Sequence, residues 1–289
     1  MPILRLLSVA ALVMAVLVSP PQARAADLPV VFVSIPPQKF VVEQLAGDLV
    51  RVEVMLPSGA SPATYEPTPR QMAALNEAVV YFQIGVPFEG PVLAKISDLM
   101  PALEIVDCRQ GIVLVPMEIG DDGHDHGPLD PHIWLDPMAM KTVASTTARA
   151  LGERMPGSAA GIQSSLLRLL LAIDETDLRI GSKMKPFAGR DLLVFHPSFG
   201  YFTRQYGLIQ VAVEPDGKAP SARQLAEIVN SLRGRETPAI FVQPQFSQTA
   251  ARRVADALGC RLVVLDPLAE DYLVNLENMA DRIAAAMVS

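Results

Sequence analysis

The stretch Ala159-Ala-Gly-Ile-Gln-Ser-Ser-Leu-Leu-Arg-Leu-Leu-Leu-Ala-Ile-Asp-Glu-Thr-Asp-Leu-Arg-Ile-Gly-Ser-Lys-Met184 runs without a proline. Leu166, Leu169, Leu170, Ile173, Leu178 and Ile180 form an apolar side, and Arg168, Asp174, Glu175, Asp177 and Arg179 a charged one. That spacing predicts one amphipathic helix, longer than the average of about 11–12 residues. Pro156-Gly-Ser158 interrupts the helical pattern before it and supplies a new N-cap. A helix this long needs something to pack against on both sides, so its flanks decide the fold.

Both flanks carry the same pattern. Upstream, β-rich apolar runs at 28–35, 50–56, 79–84 and 103–106 alternate with helical spacing at 39–46, 70–78 and 91–99. A further helix is predicted over 137–155. Pro36-Pro37 is read as a break after the first run, and 57–69 as a loop dense in proline, glycine, serine and threonine. Downstream, strands at 191–195, 209–213, 239–242 and 261–265 alternate with helices at 199–206, 221–233, 247–258 and 273–287, with Ser221 as an N-cap. Such alternation implies parallel βαβ units. The expected class is α/β: a lobe over 26–155, a linking helix over 156–186 and a second lobe over 187–289.

Composition sets bounds. The chain has 289 residues, 50% hydrophobic and 19% charged, with a formal charge of −7, which argues against nucleic acid as a partner. Residues 1–25 read as a cleaved export signal: Arg5, an uncharged apolar run over 6–18, then the small-x-small site Ala23-Arg-Ala25. The run is short for a membrane span, which needs about 20 residues. Removing 1–25 takes away Arg5 and Arg24 and no acid, which carries the charge from −7 to −9. Cys108 and Cys260 are the only cysteines. Two buried free thiols are expected in preference to a bridge, and without a Cys-x-x-Cys pair a cysteine zinc site is not indicated.

The chemistry gathers in Leu129-Asp-Pro-His-Ile-Trp-Leu-Asp-Pro137, which holds His132 and the only tryptophan, Trp134. Proline near both ends makes this a fixed loop. Upstream, Gly120-Asp-Asp-Gly-His-Asp-His-Gly127 adds His124 and His126, and the fourth histidine, His196, directly follows a predicted strand. Neutral imidazole is the commonest metal ligand. Ligands of open parallel sheets bind beyond the carboxyl ends of the strands. His196, Asp266, Gln243, Gln245 and Glu66 all follow predicted strands. Each has a bland reading too: a hydrogen-bonded histidine, an Asp-Pro turn, a solvated His-Asp-His loop. Their combination points to a divalent metal.

From Leu28 to the C-terminus the chain resembles the periplasmic metal-binding proteins of zinc/manganese-type ABC importers, the cluster A solute-binding family. The resemblance lies in Pro57-Ser-Gly-Ala-Ser-Pro-Ala-Thr-Tyr-Glu-Pro-Thr-Pro69, in Tyr81-Phe-Gln-Ile-Gly85 with Phe88-Glu89, and most specifically in Asp130-Pro-His-Ile-Trp-Leu-Asp-Pro137. It continues through His196-Pro-Ser-Phe-Gly-Tyr-Phe202, the stretch from Glu214 to Ser221, Phe241-Val-Gln-Pro-Gln-Phe-Ser247 and Leu265-Asp-Pro-Leu268. It implies two α/β lobes joined by one rigid helix, with the metal in the cleft between them. Carried over by position, His132, His196 and Asp266 are the implied ligands.

The chain departs from the family in the first loop, where Ala63 stands at the usual histidine. Three completions of the site are open: Glu66 as an oxygen donor, His124 or His126, or water. Glu66 and water are favoured. Two histidines with one or two carboxylates suit zinc, and also manganese or iron(II). Histidine at position 196 is what the resemblance implies for zinc-type members, so zinc is expected. The implied function is capture of a divalent metal, zinc first, in the periplasm by a monomer that delivers it to the membrane permease of an ABC importer. Two alternatives stand beside it. One is a degenerate member with an accessory or adhesion role. The other is a metal-dependent hydrolase, with Glu66 the only obvious general base. Against a hydrolase, the chain has no His-Glu-x-x-His helix, Gly-x-Ser-x-Gly elbow or phosphate loop.

Overall fold

The computed structural model describes residues 28–117, 129–213, 221–232 and 238–288. The expected export signal, His124, His126 and most of the stretch from Glu214 to Ser221 lie outside these residues. The described chain forms two four-stranded sheets, parallel throughout. In the first, β1 (Val30–Val33), β2 (Arg51–Val54), β3 (Ala78–Gln83) and β4 (Glu104–Asp107) lie in the order β2-β1-β3-β4. In the second, β5 (Asp191–Val194), β6 (Ile209–Ala212), β7 (Ala239–Val242) and β8 (Arg261–Val264) repeat that order as β6-β5-β7-β8. Each sheet therefore has one reversal of strand order, between β1 and β3 and between β5 and β7, where a ligand crevice opens at the carboxyl ends.

The strands read as continuous apolar runs because both faces are covered. All four residues of β1 are buried. In the second sheet the period of two sorts side chains between two cores. Leu192, Val194, Ala239 and Phe241 enter the main core, whereas Leu193, Ile240 and Val242 face a smaller one with Val254 and Ala255. These last two belong to α8 (Gln248–Leu258).

The helices follow the sequence with informative exceptions. Pro36 and Pro37 do not end the first element; they open α1 (Pro36–Ala46). Proline suits the first helical turn, where its missing N–H has no intrahelical acceptor. Helix α2 (Pro69–Ala74) starts on the Thr68 cap, and α3 (Glu89–Leu99) begins two residues before the proline that marked it in the sequence. Helices α4 (Pro137–Arg154), α6 (Gly200–Tyr206) and α7 (Ala222–Ser231) stand near where they are expected, and Ser221 caps α7 by accepting from Gln224 N.

The long helix α5 (Ala159–Met184) runs unbroken for 26 residues. Its buried side is Ile162, Leu166, Leu169, Ile173, Thr176, Ile180 and Met184. It packs against α1 and α4 of the first lobe and α9 (Tyr272–Met287) of the second. One expected member of the apolar side is not on it: Leu178 is 70% exposed. At about 100° per residue it lies some 140° around the axis from Ile173. Asp177 ties α5 to α6 by accepting from Gln205 Nε2 at 3.0 Å and Tyr206 Oη at 2.9 Å. Cys108 and Cys260 are both free thiols. Cys108 is fully buried, with burial pushing its thiol up to about 12, and Cys260 is half-buried. Among the described residues no helix is long and apolar enough to cross a membrane.

Candidate metal site between the lobes

The site is built on two loops that meet between the lobes. His132 follows Asp130-Pro131 and leads into a single 3-10 turn, Ile133–Leu135, whose three side chains are all buried. That burial clamps the loop and points His132, only 8% exposed, at the second lobe. Asp130 sets its ring. Its Oδ1 accepts the His132 backbone N–H at 2.9 Å and lies 2.6 Å from Nδ1. A carboxylate accepts, so Nδ1 carries the proton and the Nε2 lone pair is left for a ligand.

His196 enters from the other lobe, directly beyond β5. Its backbone carbonyl accepts from Ser198 N at 2.8 Å and from Gln243 Nε2 at 3.3 Å. Its ring stacks on Phe246 at 4.5 Å and meets the His132 ring edge-on at 5.6 Å between centroids. Gln243 follows β7, so His196 and Gln243 stand just beyond the two strands that flank the second sheet's reversal point. The pocket around the two imidazoles is about 70 Å³, and Ala63, Val86, Pro87 and Met117 face Gln243, Gln245 and Phe246 across it. Small-molecule pockets are about 300–1,000 Å³, so this one suits an ion and a few ligand atoms, not an organic solute.

Contacts across the cleft hold the lobes together at the pocket. Trp134 Nε1 donates to Pro267 O at 2.9 Å, Val115 N donates to Tyr201 Oη at 3.2 Å, and Lys39 pairs with Glu270. Gly200 lies so close to Asp130 that a Cβ there would sit 2.8 Å from Asp130 Oδ2. The backbone of the second lobe thus backs the carboxylate that orients a histidine of the first.

One wall is fixed by a buried acid. Glu89, 2% exposed, accepts from Ile84 N at 2.8 Å, from Gly85 N at 2.6 Å and from Ser34 Oγ, which also pairs with Tyr81 Oη at 2.6 Å. These bonds set the turn that presents Val86 and Pro87. Burial raises the Glu89 carboxyl above the ordinary glutamate range, against the hydrogen bonds from Ser34, Ile84 and Gly85 and the nearby charge of Arg109.

The four expected ligands are placed differently. His132 and His196 share the pocket. Asp266 lines an adjoining one with Gln245 and Glu270. Glu66 is exposed and lines neither, whereas Ala63, three residues earlier, does face the histidines. Among the described residues, no three His, Cys, Asp or Glu side chains converge closely enough to hold a metal between them. Sequence reading did not single out Asp130 as the partner of His132; the Asp-x-His spacing was its only signal.

The sequence pattern of the ZnuA family, described as zinc-uptake complex component A, periplasmic, matches residues 31–286. The chain belongs to the ZnuA family. A ZnuA family member is a periplasmic transport component and not an enzyme. Among its relatives are the high-affinity zinc uptake system protein ZnuA of Yersinia pestis, 26% identical over 86% of each chain, and that of Brucella abortus, 30% identical over 82% of this chain and 83% of the relative. A crystal structure of ZnuA superposes with a TM-score of 0.83 at 37% identity, covering 90% of this chain and all of the other. A ZnuA deletion mutant with zinc bound gives the same score and identity. The periplasmic zinc-binding protein TroA of Treponema pallidum, 20% identical with a TM-score of 0.79 over 90% of this chain and 99% of its own, shares the fold.

Proposed function

We propose that this protein captures a divalent cation, zinc first, in the periplasm and delivers it to the membrane permease of an ABC importer. The observation that carries the reading is the edge-on approach of His132 and His196, one from each lobe, at 5.6 Å in a pocket of ion size. Membership of a zinc-uptake family and likeness to a zinc-bound ZnuA structure support zinc as the cargo. In this proposal His132, His196 and Asp266 are ligands, and the fourth position belongs to water or Glu66. Two imidazoles with oxygen donors suit zinc and tolerate manganese. Residues 1–25 are removed on export, and the mature protein acts as a monomer.

Calorimetric titration of the metal-stripped mature protein with Zn²⁺ and Mn²⁺ tests this. One site is expected, with zinc preferred and the signal lost in His132→Ala. Because Ala63 faces the pocket, Ala63→His is expected to tighten zinc binding by roughly tenfold or more through an added imidazole. Absence of binding by either metal would overturn the capture reading and favour an accessory role.

A further inference from the structure

His132 and His196 face one pocket and Asp266 another, and Gln245 borders both. Its Nε2 donates to Asp266 Oδ1 at 3.1 Å. The same oxygen accepts the backbone N–H of Leu268 at 3.0 Å, and Leu268 also borders both pockets. The loop itself is anchored, because Asn275 Nδ2 donates to the Asp266 carbonyl at 2.7 Å and Trp134 holds the next carbonyl from across the cleft. The backbone at 266–267 is therefore fixed while the Asp266 side chain is held by one amide and one N–H. Two donors on one oxygen satisfy the charge of that carboxylate.

We propose that Gln245 is a latch. It holds Asp266 off the histidine pair in the metal-free protein and yields when a divalent cation enters. Asp266 then closes on the ion as its third protein ligand. This deepens the metal-capture reading and rests on it. A latch of this kind lowers the apparent affinity by the fraction of protein that is unlatched. It also discriminates, since only an ion that gains strongly from a carboxylate offsets the broken hydrogen bond.

Gln245→Leu removes the donor and keeps the side chain's bulk. The readout is the zinc Kd of the stripped protein, measured by calorimetry and chelator competition, for Gln245→Leu, Asp266→Asn and the double variant. Gln245→Leu is expected to tighten zinc about fivefold, the effect of one hydrogen bond lost only from the free state. In the Asp266→Asn background the same change is expected to do nothing, since the coupling runs through that carboxylate. An unchanged or weaker Kd in Gln245→Leu would overturn the latch, and so would a tightening that persists without Asp266. Failure of the unaltered protein to bind zinc would overturn the capture reading as well, which tells the two failures apart.

Discussion

Asp130 is 2% exposed, and both of its described side-chain hydrogen bonds go to His132. Orienting groups of this kind raise ligand basicity and fix the tautomer. Asp130→Asn is expected to weaken zinc binding about 10–100-fold while the urea midpoint of the metal-free protein stays close to wild type. Equal affinity in the two proteins would remove Asp130 from the site. Glu89 gives a test by pH. Its folded carboxyl titrates above the ordinary value of 4.5 because burial opposes its charge. The folded state therefore binds the proton more tightly than the unfolded chain, and stability falls as pH rises from 4.5 through the raised value. In urea unfolding from about pH 4 to pH 8, the stability of wild type relative to Glu89→Gln is expected to decline as pH rises. A difference that stays flat would contradict the assignment. The two histidines were legible as residue types at strand and loop ends. Their partners were less so: Asp130 and Glu89 act through contacts closed by the fold, which spacing along the chain does not display.

At the scale of elements, α5 carries the link between the lobes. Its extent was legible because a 3.6-residue apolar period stood between stop signals at Pro156 and past Met184. Which leucines it buries was less legible. A leucine-rich helix offers more apolar positions than its partners cover, so Leu178 points outward while Thr176 turns in. Ile173 is completely buried on the side facing α1, α4 and α9. Ile173→Ala is expected to cost about 2–5 kcal/mol through lost burial and the cavity left behind, read as a lower urea midpoint. A cost below about 0.5 kcal/mol, the range of a surface change, would show that α5 is not packed as described. The prolines at 36–37 illustrate a different limit. They punctuate the sequence either as a stop or as a first helical turn, and the packing of Val41, Val42 and Leu45 into the core selects the second.

At the scale of the molecule, the repeated strand order places the reversal points of both sheets toward the shared cleft, and the loops beyond them supply the pocket. Alternating strand and helix signals made both lobes legible. The distance between His132 and His196, 64 positions apart in the sequence, depended on how the lobes are set against each other by α5 and by Trp134. That Asp266 lines an adjoining pocket and not the one the histidines share was likewise hidden, because a position just after a strand does not say which pocket its side chain borders. The central claim is that a metal ion joins the lobes at the two imidazoles. Anomalous diffraction at the zinc edge, from crystals of the zinc-loaded mature protein, tests it most directly. One strong peak bonded to nitrogens of His132 and His196 at about 2.0–2.1 Å, with a carboxylate oxygen of Asp266 at about 2.0–2.2 Å, is the expected result. A peak elsewhere, or none between the two histidines, would contradict it.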